Sequence, residues 1–324
     1  MSFAGPLFIV GMPRSGTKLL LGLLNRHPRI AVATFETEFL PWLARRFERF
    51  GNLRDRRRFD AFYAAMQRHS YFQYRRERGG VVDAASWHAA CAEYTAAGVF
   101  EALVRLDAEA PRGSGRIWGD KSPSYIDDLP LLKQLYPAAK VLHIVRDVRD
   151  YCLSTRKAWG KDMLRAAQRW ADDVRKARAD GAALGAGYLE LRYEDLLERT
   201  EAELRRACAF LGVDFRPEML TLARPAENLG DARGATDVLA GNSGKWRALE
   251  PRTLARIEQI AGPVLAECGY ALALPPRPQR RLSAAEMRLA QLKDAWHLAR
   301  ADHNGWGFWR TALFHLRYFA ATRG

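Results

Sequence analysis

The fold is decided by residues 6–24, which read PLFIVGMPRSGTKLLLGLL. The first five of these residues form an apolar run that predicts a short buried strand, and the leucines from Leu19 to Leu24 have helical spacing. A turn that contains Gly11 and Gly16 joins the two predicted elements. Such a turn directs backbone N–H groups and the positive end of the helix dipole at one point. The stretch therefore predicts a binding site for a phosphate or sulfate group.

A second stretch of the same form lies at residues 140–160, KVLHIVRDVRDYCLSTRKAWG. Its apolar run is followed by Arg146 and Arg149, which share one face of the predicted helix, and then by Ser154. Either arginine could contact an anion. Two anion sites on one sheet imply a ligand that carries negative charge at two separated places.

The glycine turn must also be compared with the phosphate loop of kinases and nucleoside triphosphatases. That loop reads Gly-x-x-x-x-Gly-Lys-Ser/Thr, whereas Gly16 is followed here by Thr17 and Lys18, in the reverse order. The second apolar run ends in Arg146, where a metal-holding aspartate would be expected, and Asp147 comes one residue later. A metal-dependent, kinase-like phosphotransferase is therefore the alternative hypothesis, and a polyanion-binding protein is a more distant one.

Together the motifs resemble those of the sulfotransferases that use 3′-phosphoadenosine 5′-phosphosulfate (PAPS). The resemblance is to the branch of bacterial and tyrosylprotein sulfotransferases. It rests on five segments in order: PRSGT at 13–17, GDKSP at 119–123, VRD at 145–147, RYEDL at 192–196 and GKW at 244–246. Lys121 and Arg146 also have the separation expected in that branch. Lys18 departs from the pattern, because relatives commonly carry a hydroxyl residue there.

The resemblance implies a role for each of these residues. The first loop would hold the 5′-phosphosulfate, Lys121 would neutralise charge that develops during transfer, and Arg146 with Ser154 would hold the 3′-phosphate. No metal is implied. The implied donor-binding residues are Arg14, Ser15, Gly16, Thr17, Lys18, Arg146, Ser154, Tyr193 and Lys245. The implied catalytic residues are Arg14, Glu36 and Lys121.

The general base is expected in the short stretch after the first helix. In related sequences a glutamate in this stretch takes the proton of the acceptor hydroxyl, and Glu36 fits the spacing best. Glu38 is the alternative. A carboxylate is a weak base in water, but it can act when it is placed within hydrogen-bond reach of a hydroxyl that becomes acidic during transfer.

The alternation of elements predicts an α/β fold, a three-layer parallel sheet flanked by helices, with a helical C-terminal extension. We expect a sulfotransferase domain at 1–275, with a mostly helical insertion at 40–118 that forms the acceptor region. A basic amphipathic tail is expected at 276–324. The predicted strands are 6–10, 30–33, 140–145 and 187–191, and the predicted helices include 17–26, 147–158 and 162–180.

The formal net charge of +14 needs a cause. An anionic donor accounts for part of it, and the tail contributes nine basic against three acidic residues. Two apolar helical stripes are expected in this tail, one from Leu289 to Ala299 and one from Trp309 to Ala320. They can pack on the domain, on a second subunit or on a membrane surface through residues 280–324. Nucleic-acid binding is not expected, because no recognised reading module is present.

The remaining features bear on cellular location and partners. Four scattered cysteines indicate neither a zinc site nor a disulfide framework, and the chain begins almost directly with the first strand. We therefore expect a bacterial cytoplasmic enzyme, with peripheral contact at the inner membrane face as an option. The acceptor could be a carbohydrate, glycolipid, small-metabolite or peptide tyrosine hydroxyl, and the sequence leaves the oligomeric state open.

Overall fold

The computed structural model describes residues 3–78, 80–225 and 233–300, with side chains to residue 297. Five parallel strands form one sheet in the order β2-β3-β1-β4-β5. The strands are β1 Leu7–Gly11, β2 Ile30–Val32, β3 Ile117–Lys121, β4 Lys140–Val145 and β5 Tyr188–Arg192. All five are parallel, so their carboxyl ends meet at one edge of the sheet.

Helices cover both faces of the sheet, which makes three layers. The first half of the chain contributes α1 Thr17–Leu24, α2 Leu40–Arg46, α3 Arg56–Met66, α4 Ser70–Arg78, α5 Ala84–Ala90 and α6 Ala96–Asp107. The second half contributes α7 Leu129–Leu135, α8 Val148–Trp159, α9 Met163–Leu184, α10 Tyr193–Glu198, α11 Thr200–Leu211, α12 Pro251–Glu267 and α13 Ala284–Arg300. The predicted α/β class is confirmed, and the predicted strands and helices are present with small shifts at their ends.

Each face of the sheet has its own hydrophobic core. The first core joins the sheet to α2–α9 and α12 through large side chains such as Phe39, Trp87 and Trp170. The second core joins the other face to α1, α10 and α11 through leucines such as Leu20 and Leu204. Helices α2–α6 lie within the region expected as an insertion, and their buried residues belong to the first core rather than to a core of their own.

Strand β3 was not predicted from the sequence. Its residues IWGDK are all buried, and it lies between β1 and β2 in the sheet. Gly119 pairs with Leu7, where an added Cβ would lie 2.3 Å from the Leu7 carbonyl oxygen. The glycine therefore permits a close approach of the two backbones, and Lys121 reaches the carboxyl edge of the sheet.

Helix α13 docks on the domain through a polar contact. The carboxylate of Asp294 accepts hydrogen bonds from the backbone N–H of Asp162 and from Arg165, each at 2.7 Å. Ala290 on the same face is buried, whereas Leu289 and Leu292 are more than half exposed. Leu289 and Leu292 of the first predicted stripe thus lie away from the docked face. The second, from Trp309 to Ala320, lies outside the described residues, and none of the described helices is long and apolar enough to cross a membrane.

Candidate functional site

Every strand ends at the same edge of the sheet, and a predicted site residue or motif lies at or after the end of each strand. In spatial order the edge carries Glu36 after β2, Lys121 at the end of β3, the 13–17 loop after β1, Arg146 after β4 and Tyr193 after β5. Ligands of open parallel sheets bind outside the carboxyl ends of the strands. The predicted residues are therefore gathered at the position where this fold class places its ligands.

The 13–17 loop has the backbone geometry of an anion cradle. Gly16 caps helix α1 with φ 94°, and the Tyr193 ring lies where a side chain on Gly16 would have to be, 2.4 Å from an added Cβ. Arg14 also has positive φ, at 73°. The first turn of α1 presents N–H groups that have no intrahelical partner, so the loop directs donors at the edge of the sheet.

The side chains of this loop differ in their surroundings. The hydroxyl of Ser15 is fully buried without a hydrogen-bond partner, Thr17 is buried and Lys18 is half-exposed. A buried hydroxyl without a partner is uncommon in folded proteins. Its presence within the cradle fits a site that an anion completes.

Arg146 links the loop to the opposite wall of the site. One of its Nη groups donates to the Arg14 carbonyl at 2.9 Å and the other to the Asn242 carbonyl at 3.2 Å. Its guanidinium lies 4.5 Å from the centre of the Tyr193 ring, and its buried Nε has no partner. Arg146 is thus held rigidly by two carbonyls and an aromatic face while it keeps N–H groups for a further anion.

Arg149, the other arginine that could contact an anion according to the sequence, instead forms ion pairs with two buried carboxylates. Its side chain is 3% exposed and pairs with Asp147 at 2.6 Å and with Glu258 at 2.7 Å. The guanidinium also stacks on Trp246, 3.7 Å from the ring centre. Arg149 therefore holds α8, α12 and the Trp246 segment together, and Arg146 remains as the arginine that faces the site.

A cleft lies beside Arg146 and has both charged and apolar walls. The charged wall contains four cations, Arg14, Arg146, Lys157 and Lys245, and two carboxylates, Asp150 and Asp237. The apolar wall consists of five leucines, Leu19, Leu153, Leu197, Leu222 and Leu239. Ser154 lies at the junction of the two predicted anion sites, since its Oγ accepts a hydrogen bond from Arg14 Nε at 3.4 Å. The cleft can take a ligand with a flat apolar ring and more than one anionic group.

Asn242 and Asp150 hold the Lys245 side of this cleft. The Asn242 side chain accepts from Lys245 Nζ at 2.6 Å and donates to the Tyr193 hydroxyl at 2.8 Å. Asp150 accepts from the backbone N–H groups of Gly244 and Trp246. Burial raises the pKa of Asp150, and these two hydrogen bonds oppose that rise. Lys245 is thereby brought to the cleft by contacts that cross three segments.

Glu36 and Lys121 form an ion pair at the other end of the edge. Lys121 Nζ lies 2.5 Å from Glu36 Oε1, and the lysine side chain is 1% exposed while that of the glutamate is 32% exposed. The buried cation is thus neutralised by a carboxylate that still reaches solvent. Glu38, the alternative base, has positive φ at 54°, and its backbone N–H donates to Ser122 Oγ at 3.1 Å.

The comparison with known proteins agrees with this geometry. Residues 6–217 match the Sulfotransferase family, and that span contains the loop, both candidate bases, Lys121, Arg146 and Tyr193. This chain belongs to the sulfotransferase family. The resemblance recognised from the motifs is confirmed at this level.

This sulfotransferase-family chain is also similar to a nodulation protein. It is 28% identical over 235 residues to the nodulation protein NoeE of Sinorhizobium fredii, a match that covers 64% of this chain and 50% of that protein. The chain thus spans about half the length of that relative.

Two solved structures share the fold. The sulfotransferase domain from the Synechococcus PCC 7002 olefin synthase has a TM-score of 0.54 and 23% identity, and the match covers 85% of this chain and 98% of that one. The sulfotransferase domain from the curacin biosynthetic pathway has a TM-score of 0.50 and 19% identity, with 84% and 100% covered.

Sequence reasoning missed four polar residues of the cleft, which are Asp150, Lys157, Asp237 and Asn242. Lys157 follows Ser154 by three positions on α8, so the shared helix face could have revealed it. Asp150 and Asn242 had no comparable signal, because their roles depend on how α8 meets a distant segment. The donor-binding roles of the predicted residues stay predictions.

Proposed function

We propose that this chain transfers a sulfuryl group from PAPS to an acceptor hydroxyl and releases adenosine 3′,5′-bisphosphate. The observation that carries the proposal is the order of groups along the sheet edge. A carboxylate paired with a buried lysine stands at one end, the glycine turn stands in the middle, and a cationic cleft stands at the other end. This order suits an acceptor hydroxyl, a phosphosulfate and a 3′-phosphate laid side by side.

The residues of the loop and cleft would bind the donor at both anionic ends. Arg14, the unpartnered Ser15 hydroxyl and the N-terminal amides of α1 suit the 5′-phosphosulfate. Arg146, Ser154 and Lys245 suit the 3′-phosphate, with the leucine wall of the cleft beside the purine. Thr17 would donate its hydroxyl to the phosphosulfate, and Lys18 would add a charge nearby. The chemistry of these groups fits the donor without a metal.

The transfer requires the protein to position the donor and the acceptor and to stabilise the charge that develops. The acceptor oxygen attacks sulfur, the bond from sulfur to the bridging phosphate oxygen breaks, and the electron pair of that bond leaves with the bisphosphate. Glu36 takes the acceptor proton. Its carboxylate is only partly buried, so an acceptor hydroxyl can approach it from solvent. Lys121, already held at 2.5 Å from Glu36, stabilises the negative charge on the bridging and sulfuryl oxygens.

The acceptor site is expected on the side of Glu36 that faces α4. Burial raises the pKa of Tyr74 on this helix, and the nearby Glu38 and Glu36 carboxylates raise it further. Helix α4 also contacts the turn of the proposed base, since the Arg75 guanidinium lies 5.2 Å from the centre of the Phe35 ring. This contact supports acceptor selection by the 40–118 region. Carbohydrate, glycolipid, small-metabolite and peptide tyrosine hydroxyls all remain candidates.

The cytoplasmic location and peripheral membrane contact stay predictions. The exposed Leu289 and Leu292 on α13 support an apolar contact in this part of the tail. Flotation with anionic liposomes, comparing the full chain with one that ends at Leu274, tests membrane contact. Equal failure of both to float would contradict it.

Calorimetric titration with adenosine 3′,5′-bisphosphate tests the proposed donor, with ATP and magnesium as the parallel ligand. We expect tight bisphosphate binding that EDTA leaves unchanged, and weak ATP binding. The aspartate that a kinase would use for its metal, Asp147, here caps α8 and pairs with Arg149. A preference for ATP–magnesium would overturn the proposal and favour the phosphotransferase alternative.

A further inference from the structure

Three buried hydroxyl groups lie beneath the turn that carries Glu36. Thr37, Ser122 and Tyr125 are each at most 1% exposed, and we call them the hydroxyl cluster. Thr37 belongs to the turn after β2, whereas Ser122 and Tyr125 come directly after Lys121. The cluster thus joins the segment of the proposed base to the segment of the catalytic lysine.

Hydrogen bonds join the cluster to the backbone of the turn. The backbone N–H of Leu40 donates to the Tyr125 hydroxyl at 3.0 Å, and the same hydroxyl shares a hydrogen bond with Thr37 Oγ1, which lies 2.6 Å away. Ser122 Oγ accepts from the backbone N–H of Glu38 and lies 3.4 Å from Thr37 Oγ1. Two backbone amides of the turn are therefore anchored on hydroxyls of the neighbouring segment.

The anchored turn contains an uncommon backbone conformation. Glu38 has φ 54°, in the left-handed region that residues other than glycine seldom occupy. Such a conformation persists only where the surrounding structure holds it. The Glu38 N–H bond to Ser122 and the Leu40 N–H bond to Tyr125 lie on either side of it along the turn.

We infer that the hydroxyl cluster positions Glu36 against Lys121, and that Tyr125 is its central positioning residue. This inference rests on the proposed function. Tyr125 contacts neither Glu36 nor Lys121 through its hydroxyl; it acts through the backbone of the turn. If the hydroxyl is lost, the 37–40 backbone loses an acceptor, and the carboxylate no longer stays at 2.5 Å from the lysine. A displacement of this kind lowers the rate of transfer more than it lowers donor binding.

The chain offers a closely matched control for a Tyr125→Phe variant. Tyr136 is also buried, and both rings pack on Phe8, at 6.3 Å for Tyr125 and 5.9 Å for Tyr136. The Tyr136 hydroxyl donates to the Ala97 carbonyl at 2.7 Å, away from the turn. Tyr136→Phe therefore removes a buried hydroxyl from the same core without touching the cluster.

The experiment measures two quantities on the full chain and on each variant. The first is the affinity for adenosine 3′,5′-bisphosphate by calorimetry. The second is the release of labelled sulfate from ³⁵S-PAPS without an acceptor. In that reaction a water oxygen attacks sulfur, the bisphosphate leaves, and Glu36 takes one proton before passing it to solvent. Thermal unfolding of each variant is the control that checks whether it is folded at the assay temperature.

For Tyr125→Phe we expect sulfate release to fall about 10- to 100-fold, with bisphosphate affinity within about threefold of the parent. Ser122→Ala should show the same split, and Tyr136→Phe should show neither change. Equal sulfate release by parent, Tyr125→Phe and Ser122→Ala would overturn the inference while bisphosphate binding still supported the donor site. A parent chain that neither binds bisphosphate nor releases sulfate would overturn the inference and the proposed function together.

Discussion

Replacement of Arg146 by alanine separates ligand binding from fold stability most cleanly. Two of its five N–H groups are used by the Arg14 and Asn242 carbonyls, and the buried Nε has no partner. Under the proposed function, the remaining donors bind the 3′-phosphate of the bisphosphate. Arg146→Ala should therefore weaken the binding of adenosine 3′,5′-bisphosphate while leaving most of the core intact.

The size of the effect follows from the contacts that are lost. One or two hydrogen bonds from a charged donor to a phosphate contribute about 2–4 kcal/mol in total. Because each 1.4 kcal/mol changes a dissociation constant about tenfold, we expect Kd to rise roughly 30- to 1000-fold. The loss of the two carbonyl contacts adds a smaller cost, since they link loops rather than core elements.

Arg149→Met is the matched comparison, three residues along the same helix. Removal of its charge leaves the Asp147 and Glu258 carboxylates buried without this countercharge, which costs about 3–5 kcal/mol. For a chain of 324 residues that corresponds to a fall in Tm on the order of 4–7 °C. Bisphosphate affinity, measured well below Tm, should change far less than in Arg146→Ala.

Calorimetry at 15 °C and thermal unfolding by circular dichroism measure both effects. The expected pattern is a large rise in Kd with a small fall in Tm for Arg146→Ala, and the reverse for Arg149→Met. A reversed pattern would refute the assignment of the phosphate contact to Arg146. A Kd within threefold of the parent in both variants would refute the second anion site itself.

Three further predictions concern the base, the loop and a buried acid. Glu36→Gln should reduce turnover about 10²- to 10⁴-fold with bisphosphate affinity retained, whereas Glu38→Gln should keep most activity; the opposite order would assign the base to Glu38. Gly16→Ala should raise the bisphosphate Kd at least about tenfold, because its Cβ would lie 2.4 Å from the Tyr193 ring at φ 94°; calorimetry checks this, and an unchanged Kd contradicts the tight packing. Burial raises the pKa of Asp120 to about 7, against the opposing effect of the Ser122 and Thr37 hydroxyls. Between the ordinary carboxyl pKa and about 7 the folded chain keeps this proton and the unfolded chain releases it, so stability falls as pH rises through that window. The free energy of unfolding, measured with urea at pH 5 and pH 8, should fall more between these two values for the parent than for Asp120→Asn. An equal change in the two proteins would contradict the raised pKa of Asp120.

The sequence predicts those parts of the site that are formed by residues close together in the chain. The 13–17 loop and Arg146 each follow an apolar run directly, so strand, turn and helix can be recognised within about 20 residues. The ion pair between Glu36 and Lys121 joins residues that are 85 positions apart, and only the resemblance suggested that they act together.

Strand β3 illustrates why the rest could not be predicted. Its IWGDK sequence contains a glycine, an aspartate and a lysine, residues that strand propensity disfavours. The strand forms because its neighbours on both sides supply hydrogen bonds and because Glu36 neutralises the buried Lys121. The distinction between Arg146 and Arg149 likewise depended on Glu258, which lies more than 100 residues away.

The strand order has a consequence for how the protein is made. Strand β1, with its apolar sequence LFIVG, pairs with β3 and β4, which leave the ribosome more than 100 residues later. At about 5–20 residues per second, Gly16 would precede Tyr193, the ring that packs against it, by roughly 10–35 s. The first strand has no partner until β3 follows it, and ligand cannot protect it then, because the lining of the cleft includes residues as late as Lys245. Nascent chains that stop before β3 should therefore depend on chaperones rather than on ligand for protection from aggregation.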